Sequence, residues 1–147
     1  MITKTIHYIW LGKNKKPKTF SEVFSSWKKH AIGFEIKEWN EDNISEFELP
    51  EYYHRAIKEK KWAFASDVLR VYILQKYGGF YFDIDQVLIK DINPDFLNYD
   101  FFTATFHEVD NYYGFQYIGC TPDNIIMNEL INFYKDKNNI KFIIINK

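Results

Sequence analysis

Ala63-Phe64-Ala65-Ser66-Asp67-Val68-Leu69-Arg70-Val71-Tyr72-Ile73-Leu74-Gln75-Lys76-Tyr77-Gly78-Gly79-Phe80-Tyr81-Phe82-Asp83-Ile84-Asp85 is the stretch that decides the fold. Trp62, Ala65, Val68, Leu69, Tyr72, Ile73 and Tyr77 recur at helical spacing over four turns, and the Gly78-Gly79 pair supplies the left-handed backbone that ends a helix. The apolar-aromatic run from Phe80 to Ile89 is too short and too rich in strand-forming residues for a second helix, so it reads as a strand. Side chains alternate along a strand, which sets Asp83 and Asp85 side by side on one face with Phe82 and Ile84 on the other.

Working outward, Thr5 to Gly12 reads as a strand running into a loop, with Trp10 near its end. Phe20, Val23, Phe24 and Trp27 predict an amphipathic helix over about Thr19 to His30, stopped by Gly33. Phe34 to Trp39 alternates apolar and charged residues as a half-exposed strand does, and Asn40 to Asn43 is turn chemistry. Strand-helix-strand order of this kind implies an α/β domain with a largely parallel sheet. Downstream, residues 101–106 read as a strand and 112–121 as a strand or loop. Pro122 opens a helix with Ile125, Ile126, Leu130 and Phe133 on its apolar face, and 140–147 form a last strand. A chain of 147 residues has room for one domain, 1–147, with no linker or internal repeat.

Composition narrows the function classes. The hydrophobic fraction is 46% and the aromatic fraction 20%, which fits a folded protein with a large core or a stacking surface. A net charge of −1 with interspersed signs leaves no footprint for nucleic acid. The lysines at 13, 15, 16 and 18 flank Pro17 as a solvated loop or as a contact for phosphate or an anionic membrane. The single cysteine, Cys120, suits a reducing compartment and a packing role. No run approaches the ~18 apolar residues of a membrane span, and the N-terminus lacks a signal-peptide pattern. A cytoplasmic protein is therefore expected, with attachment to the inner face of a membrane left open. His7, His30, His54 and His107 show no zinc spacing.

Two neighbouring carboxylates repel unless a cation sits beside them, and hard carboxylate oxygens suit Mg²⁺ or Mn²⁺ completed by water and substrate phosphates. Asp-x-Asp is short and common, and alone it fits solvent-facing strand residues equally well. Its apolar flanks put the pair where a buried strand emerges, the place at which open α/β sheets bind ligands. Asp67 and Arg70, three residues apart, are neighbours on the preceding helix: a surface ion pair, or a hydrogen-bonding pair for sugar hydroxyls and phosphate oxygens. A dehalogenase-type phosphatase also uses Asp-x-Asp, but on its first strand and before a small residue, whereas Gln86-Val87 follow here.

Taken together, Ser66-Asp67-Val68-Leu69-Arg70, Tyr77-Gly78-Gly79 and Asp83-Ile84-Asp85 resemble the sugar-binding region of glycosyltransferase family 32. That family includes capsular-polysaccharide and mannosyltransferase-like enzymes and is related to the glucosylating clostridial toxins. Ile6 to Gly12 resembles the family's opening strand and Glu38-Trp39-Asn40 the end of its second unit, so the resemblance covers about residues 3–92. It implies a GT-A type fold, a Rossmann-like nucleotide-binding sheet with helices on both faces. It also implies metal-assisted transfer, with retention of configuration, from a UDP- or GDP-sugar to a hydroxyl of a glycan or glycolipid. By the same resemblance Trp10 lies against the base, Asp67 and Arg70 contact the donor sugar, and Asp83 and Asp85 bind ribose, Mn²⁺ or Mg²⁺, and diphosphate. No nucleophile is assigned. Members of the family usually continue well beyond the helix near Ile125 to Tyr134. Either Phe115 to Thr121 completes a shorter site, or the chain is a truncated, non-catalytic remnant that binds nucleotide sugar.

Overall fold

The structure, a computed structural model, describes residues 1–105 and 113–136. In chain order these form β1 (Thr5–Ile9), α1 (Phe20–His30), β2 (Glu35–Trp39), α2 (Glu51–Lys58), α3 (Trp62–Tyr77) and β3 (Gly79–Phe82). A 3₁₀ helix (Pro94–Asn98), β4 (Phe101–Thr105), β5 (Tyr113–Cys120) and α4 (Ile125–Asp136) follow. The expected strand over 140–147, Phe106, His107 and Tyr112 lie outside the described residues.

The strands make one sheet in the order β2-β1-β3-β5-β4. β1 runs parallel to β2 and β3, while β5 is antiparallel to both β3 and β4. The sheet is therefore mixed, not largely parallel: helical crossovers join the three parallel strands, and β5 enters between β3 and β4 antiparallel to both. Helices cover both faces, as expected for a GT-A type α/β fold. On one face α1 supplies Val23 and Trp27 against Ile6, Tyr8, Phe80 and Phe82. On the other, α2, α3 and α4 bury Tyr53, Leu69, Ile73 and Met127 against Ile9, Tyr81 and Ile118. α3 is apolar almost all round, because the sheet lies on one side of it and α2 and α4 on others.

The turn from α3 into β3 is a steric requirement. Gly78 caps the helix through its N–H to the Leu74 carbonyl at 2.8 Å. Gly79 then sits at φ +94°, where a Cβ would come within 2.7 Å of the Thr5 carbonyl oxygen on the neighbouring strand. Close β1–β3 pairing thus depends on a residue without a side chain.

Two expectations need correction. β3 ends at Phe82 rather than running on to Ile89: the Asp83 N–H still bonds the Gln116 carbonyl at 2.9 Å, and the chain then turns, with the Gln86 N–H on the Asp83 carbonyl at 3.0 Å. The apolar residues beyond it, Ile84, Leu88 and Ile92, pack against the α1 core instead of joining the sheet. Likewise α4 begins at Ile125, three residues after Pro122, and its buried face is Met127 with Leu130, Ile131 and Tyr134. Ile125, Ile126 and Phe133 are substantially exposed. Cys120 is fully buried and its thiol is pushed up to about 12 by burial, in keeping with a packing role.

Candidate functional site

β1 sits between β2, reached through α1 on one face, and β3, reached through α2 and α3 on the other. The strand order reverses between β1 and β3, and a crevice lies beyond the carboxyl ends of these two strands. Trp10 follows β1 and Asp83 follows β3 directly. A cavity of about 320 Å³ lies there, lined by Trp10, Leu11, Trp62, Ser66, Arg70, Tyr81, Asp83 and Asp85 among others.

Arg70 organises the polar wall. Its side chain is buried, 7% exposed, and a buried cation is costly unless every donor is used. Nη1 donates to the Phe115 carbonyl at 2.6 Å, and Nη2 lies 2.6 Å from Asp67 Oδ1 and 3.5 Å from Asp83 Oδ1. The guanidinium also stands 4.5 Å from the centre of the Tyr81 ring. Burial works against the Arg70 charge, and Tyr81, Asp67 and Asp83 more than offset it, so the group stays cationic.

Asp83 accepts a 2.8 Å hydrogen bond from the Tyr81 hydroxyl. Burial raises the Asp83 carboxyl above the usual carboxylate range; Arg70 and Tyr81 pull it down, and the Asp85 charge pushes it up again. Asp67 is raised in the same way, by burial and by Asp83 against the pull of Arg70. Asp85 is exposed, and the Gln86 side-chain amide donates to it at 2.8 Å. Two acids of different character thus meet at one rim: one half-buried and held by a cation and a phenol, the other open to solvent.

Trp10, Arg70, Asp83 and Asp85 share the cleft. Asp67 does not line it; it faces an adjoining cavity of about 210 Å³ with Phe115, Leu130 and Tyr134, and reaches the cleft through Arg70. The alternation that set Asp83 and Asp85 on one strand face does not operate, because Asp85 lies in the turn beyond the strand; both nevertheless line the same cavity. Among the described residues no group of three or more His, Cys, Asp and Glu side chains could hold a metal. A pair of carboxylates is nonetheless the donor set with which Mg²⁺ or Mn²⁺ is commonly held, since water and phosphate oxygens complete the shell.

Residues 17–102 match the glycosyltransferase sugar-binding region containing a DXD motif, a match over more than half of the chain. The chain belongs to that glycosyltransferase family. Asp83-Ile84-Asp85 stands within the matched range. Over 111 residues the chain is 33% identical to an uncharacterized glycosyltransferase of Acanthamoeba polyphaga mimivirus, covering 72% of this chain and 44% of that protein. Toxin A of Clostridium novyi is 33% identical over 101 residues, 58% of this chain and 5% of the toxin. The fold is similar to that of PaToxG glycosyltransferase, with a TM-score of 0.71 at 24% identity over 94% of this chain and 64% of the other. The chain therefore spans under half the length of its mimivirus relative and a small part of the toxin.

Several residues of the cleft escaped the sequence reading. Tyr81 stands two residues before Asp83, the spacing that puts side chains on one side of a strand, and this could have revealed it. Trp62, Ser66 and Arg70 recur every fourth residue of α3 and all line the cleft, a helical row that could also have been read. Trp62 packs against Gly12, where φ is +93° and a Cβ would lie 2.8 Å from the indole. That contact draws the loop after β1 onto the start of α3. His7, by contrast, is structural: its Nδ1 accepts from the Trp39 indole at 3.1 Å, which leaves Nε2–H to donate to the Gly78 carbonyl at 3.0 Å.

Proposed function

We propose that this chain binds a UDP- or GDP-sugar in the cleft between β1 and β3 and transfers the sugar, with retention of configuration, to a hydroxyl of a glycan or glycolipid. The observation that carries this reading is the meeting of Trp10, Arg70, Asp83 and Asp85 around one cavity at the point where the strand order reverses. An aromatic ring, a fixed cation and two acids are what a base, a diphosphate and its counter-ion require of a site.

In this reading Trp10 lies against the base, its indole N–H tied to the Asn14 carbonyl at 2.7 Å. Arg70 is fixed by its bonds to Phe115 and Asp67 before any ligand arrives. It therefore stabilises charge on the departing diphosphate without reorganising. Asp67, in the adjoining cavity, accepts hydrogen bonds from sugar hydroxyls that extend past Arg70. Asp83 and Asp85 fit Mn²⁺ or Mg²⁺, which supplies Lewis-acid stabilisation of the leaving group when bound. The bond from the anomeric carbon to the diphosphate breaks, the bond to the acceptor oxygen forms on the same face, and the acceptor proton passes to a diphosphate oxygen. No protein nucleophile is invoked.

Turnover of UDP- and GDP-hexoses with Mn²⁺, followed by proton NMR at the anomeric signals, tests this. The expected result is cleavage above background with the released or transferred sugar first appearing in the donor's configuration. Inverted product contradicts the retaining mechanism. Binding with an intact sugar–phosphate bond identifies a non-catalytic binder.

A further inference from the structure

Asp85 lies beyond the last strand residue, so the sheet does not set its position. After the turn at Asp83 to Gln86 the chain runs back along α1, and α1 reaches out to it twice. The Trp27 indole N–H donates to the Gln86 carbonyl at 2.6 Å, and the Leu88 N–H donates to Ser26 Oγ at 3.0 Å. Ser26 in turn donates to the Val23 carbonyl at 2.6 Å, which fixes its hydroxyl as the acceptor Leu88 needs. Trp27 is fully buried and packs edge-on against Phe82, with ring centres 5.6 Å apart. The donor that holds the residue after Asp85 is thus part of the core under β3, and it touches no cleft residue by that bond.

We infer that Trp27 and Ser26 are positioning residues for the Asp83–Asp85 pair: α1, from the opposite face of the sheet, holds the turn that brings the second carboxylate to the cleft. Resting on the proposed metal role of these acids, the inference makes cation affinity depend on two side chains that meet no ligand. Trp27→Phe keeps most of the ring volume and removes the N–H. Ser26→Ala removes the acceptor with little change in volume, and Val23→Ala loosens the same helix without touching the turn.

Mn²⁺ affinity in the presence of UDP or GDP, read from loss of the free-ion EPR signal, is the test, with thermal midpoints measured alongside. Trp27→Phe is expected to weaken Mn²⁺ about ten-fold, the lower end of what removing an outer-shell partner costs. Ser26→Ala is expected to weaken it about three-fold, as for one neutral hydrogen bond. Val23→Ala should lower the midpoint and leave Mn²⁺ affinity at the wild-type value. If Trp27→Phe and Ser26→Ala bind Mn²⁺ as the wild type does while Asp85→Asn abolishes binding, α1 does not position the turn and the inference falls alone. If Asp85→Asn also binds as the wild type does, the metal role of the acids fails and the inference fails with it.

Discussion

The two faces of the sheet solve different problems. Under α1 the contacts are aromatic and dry: Trp27, Tyr8, Phe80, Phe82 and Tyr117 meet ring to ring, with Phe82 and Tyr117 stacked 4.7 Å apart. Under α3 the core holds buried polar groups, His7 and Arg70, each satisfied by named partners on other elements. A dry face gives rigidity that does not depend on pH or ligand, whereas buried polar groups give a site whose state depends on both. The cleft opens on the polar side, and the turn carrying Asp85 is braced from the dry one.

The largest effect should come from breaking the dry face. Phe82→Ala is expected to cost about 4 kcal/mol, because a fully buried ring is removed from beneath α1. Urea denaturation measures this, and a loss under about 1 kcal/mol would mean that the aromatic face is not the rigid half.

The polar face should answer to acid. Burial, with the nearby Lys37 charge, lowers His7 from 6.5 to about 4 despite its bond to Gly78. The native state then binds fewer protons than the unfolded chain between these values, so stability falls as pH drops from 6.5 to about 4 and this contribution is complete below it. Its size is on the order of 3 kcal/mol. Asp67 and Asp83, raised above the ordinary carboxylate range, act with the opposite sign and gain stability as pH falls through that shift. Comparing the wild type with His7→Gln isolates the histidine. Gln can still accept from Trp39 and donate to Gly78, and its stability curve should lack the 6.5-to-4 slope.

A finer probe is Tyr81→Phe. The Tyr81 hydroxyl lowers the Asp83 carboxyl, so its loss should move the acid limb of Mn²⁺ binding to higher pH. An unchanged limb would mean that Asp83 does not titrate with metal binding.

How much of this was legible in the sequence depends on how local each signal is. α1, β2, α3 and the Gly78-Gly79 turn follow from spacing and backbone chemistry within a few residues, and all appear where that reading puts them. The end of β3 does not, because Ile84 and Leu88 are as apolar as strand residues and find their burial under α1. Nor does the phase of α4: apolar residues occupy most of its surface, and whether Met127 or Ile125 turns inward depends on where α2 and α3 stand. The antiparallel pairing of β5 with β3, which sets Phe80 opposite Gly119, is long-range and has no local signature. In the site, Arg70, Asp83 and Asp85 came from motif spacing and Trp10 from the family resemblance, and all four meet in one cleft. That Arg70 is buried, and that Asp67 faces the neighbouring cavity, depends on Phe115, 45 positions away.

The most direct measurement is calorimetry of UDP, GDP and their sugars with and without Mn²⁺, on the wild type and on Asp85→Asn. Binding of one nucleotide series that requires the metal and is lost in Asp85→Asn, with the thermal midpoint little changed, is the predicted result. Binding that ignores both the metal and the substitution, or no binding of any nucleotide, would contradict the account of this cleft as a metal-assisted donor site.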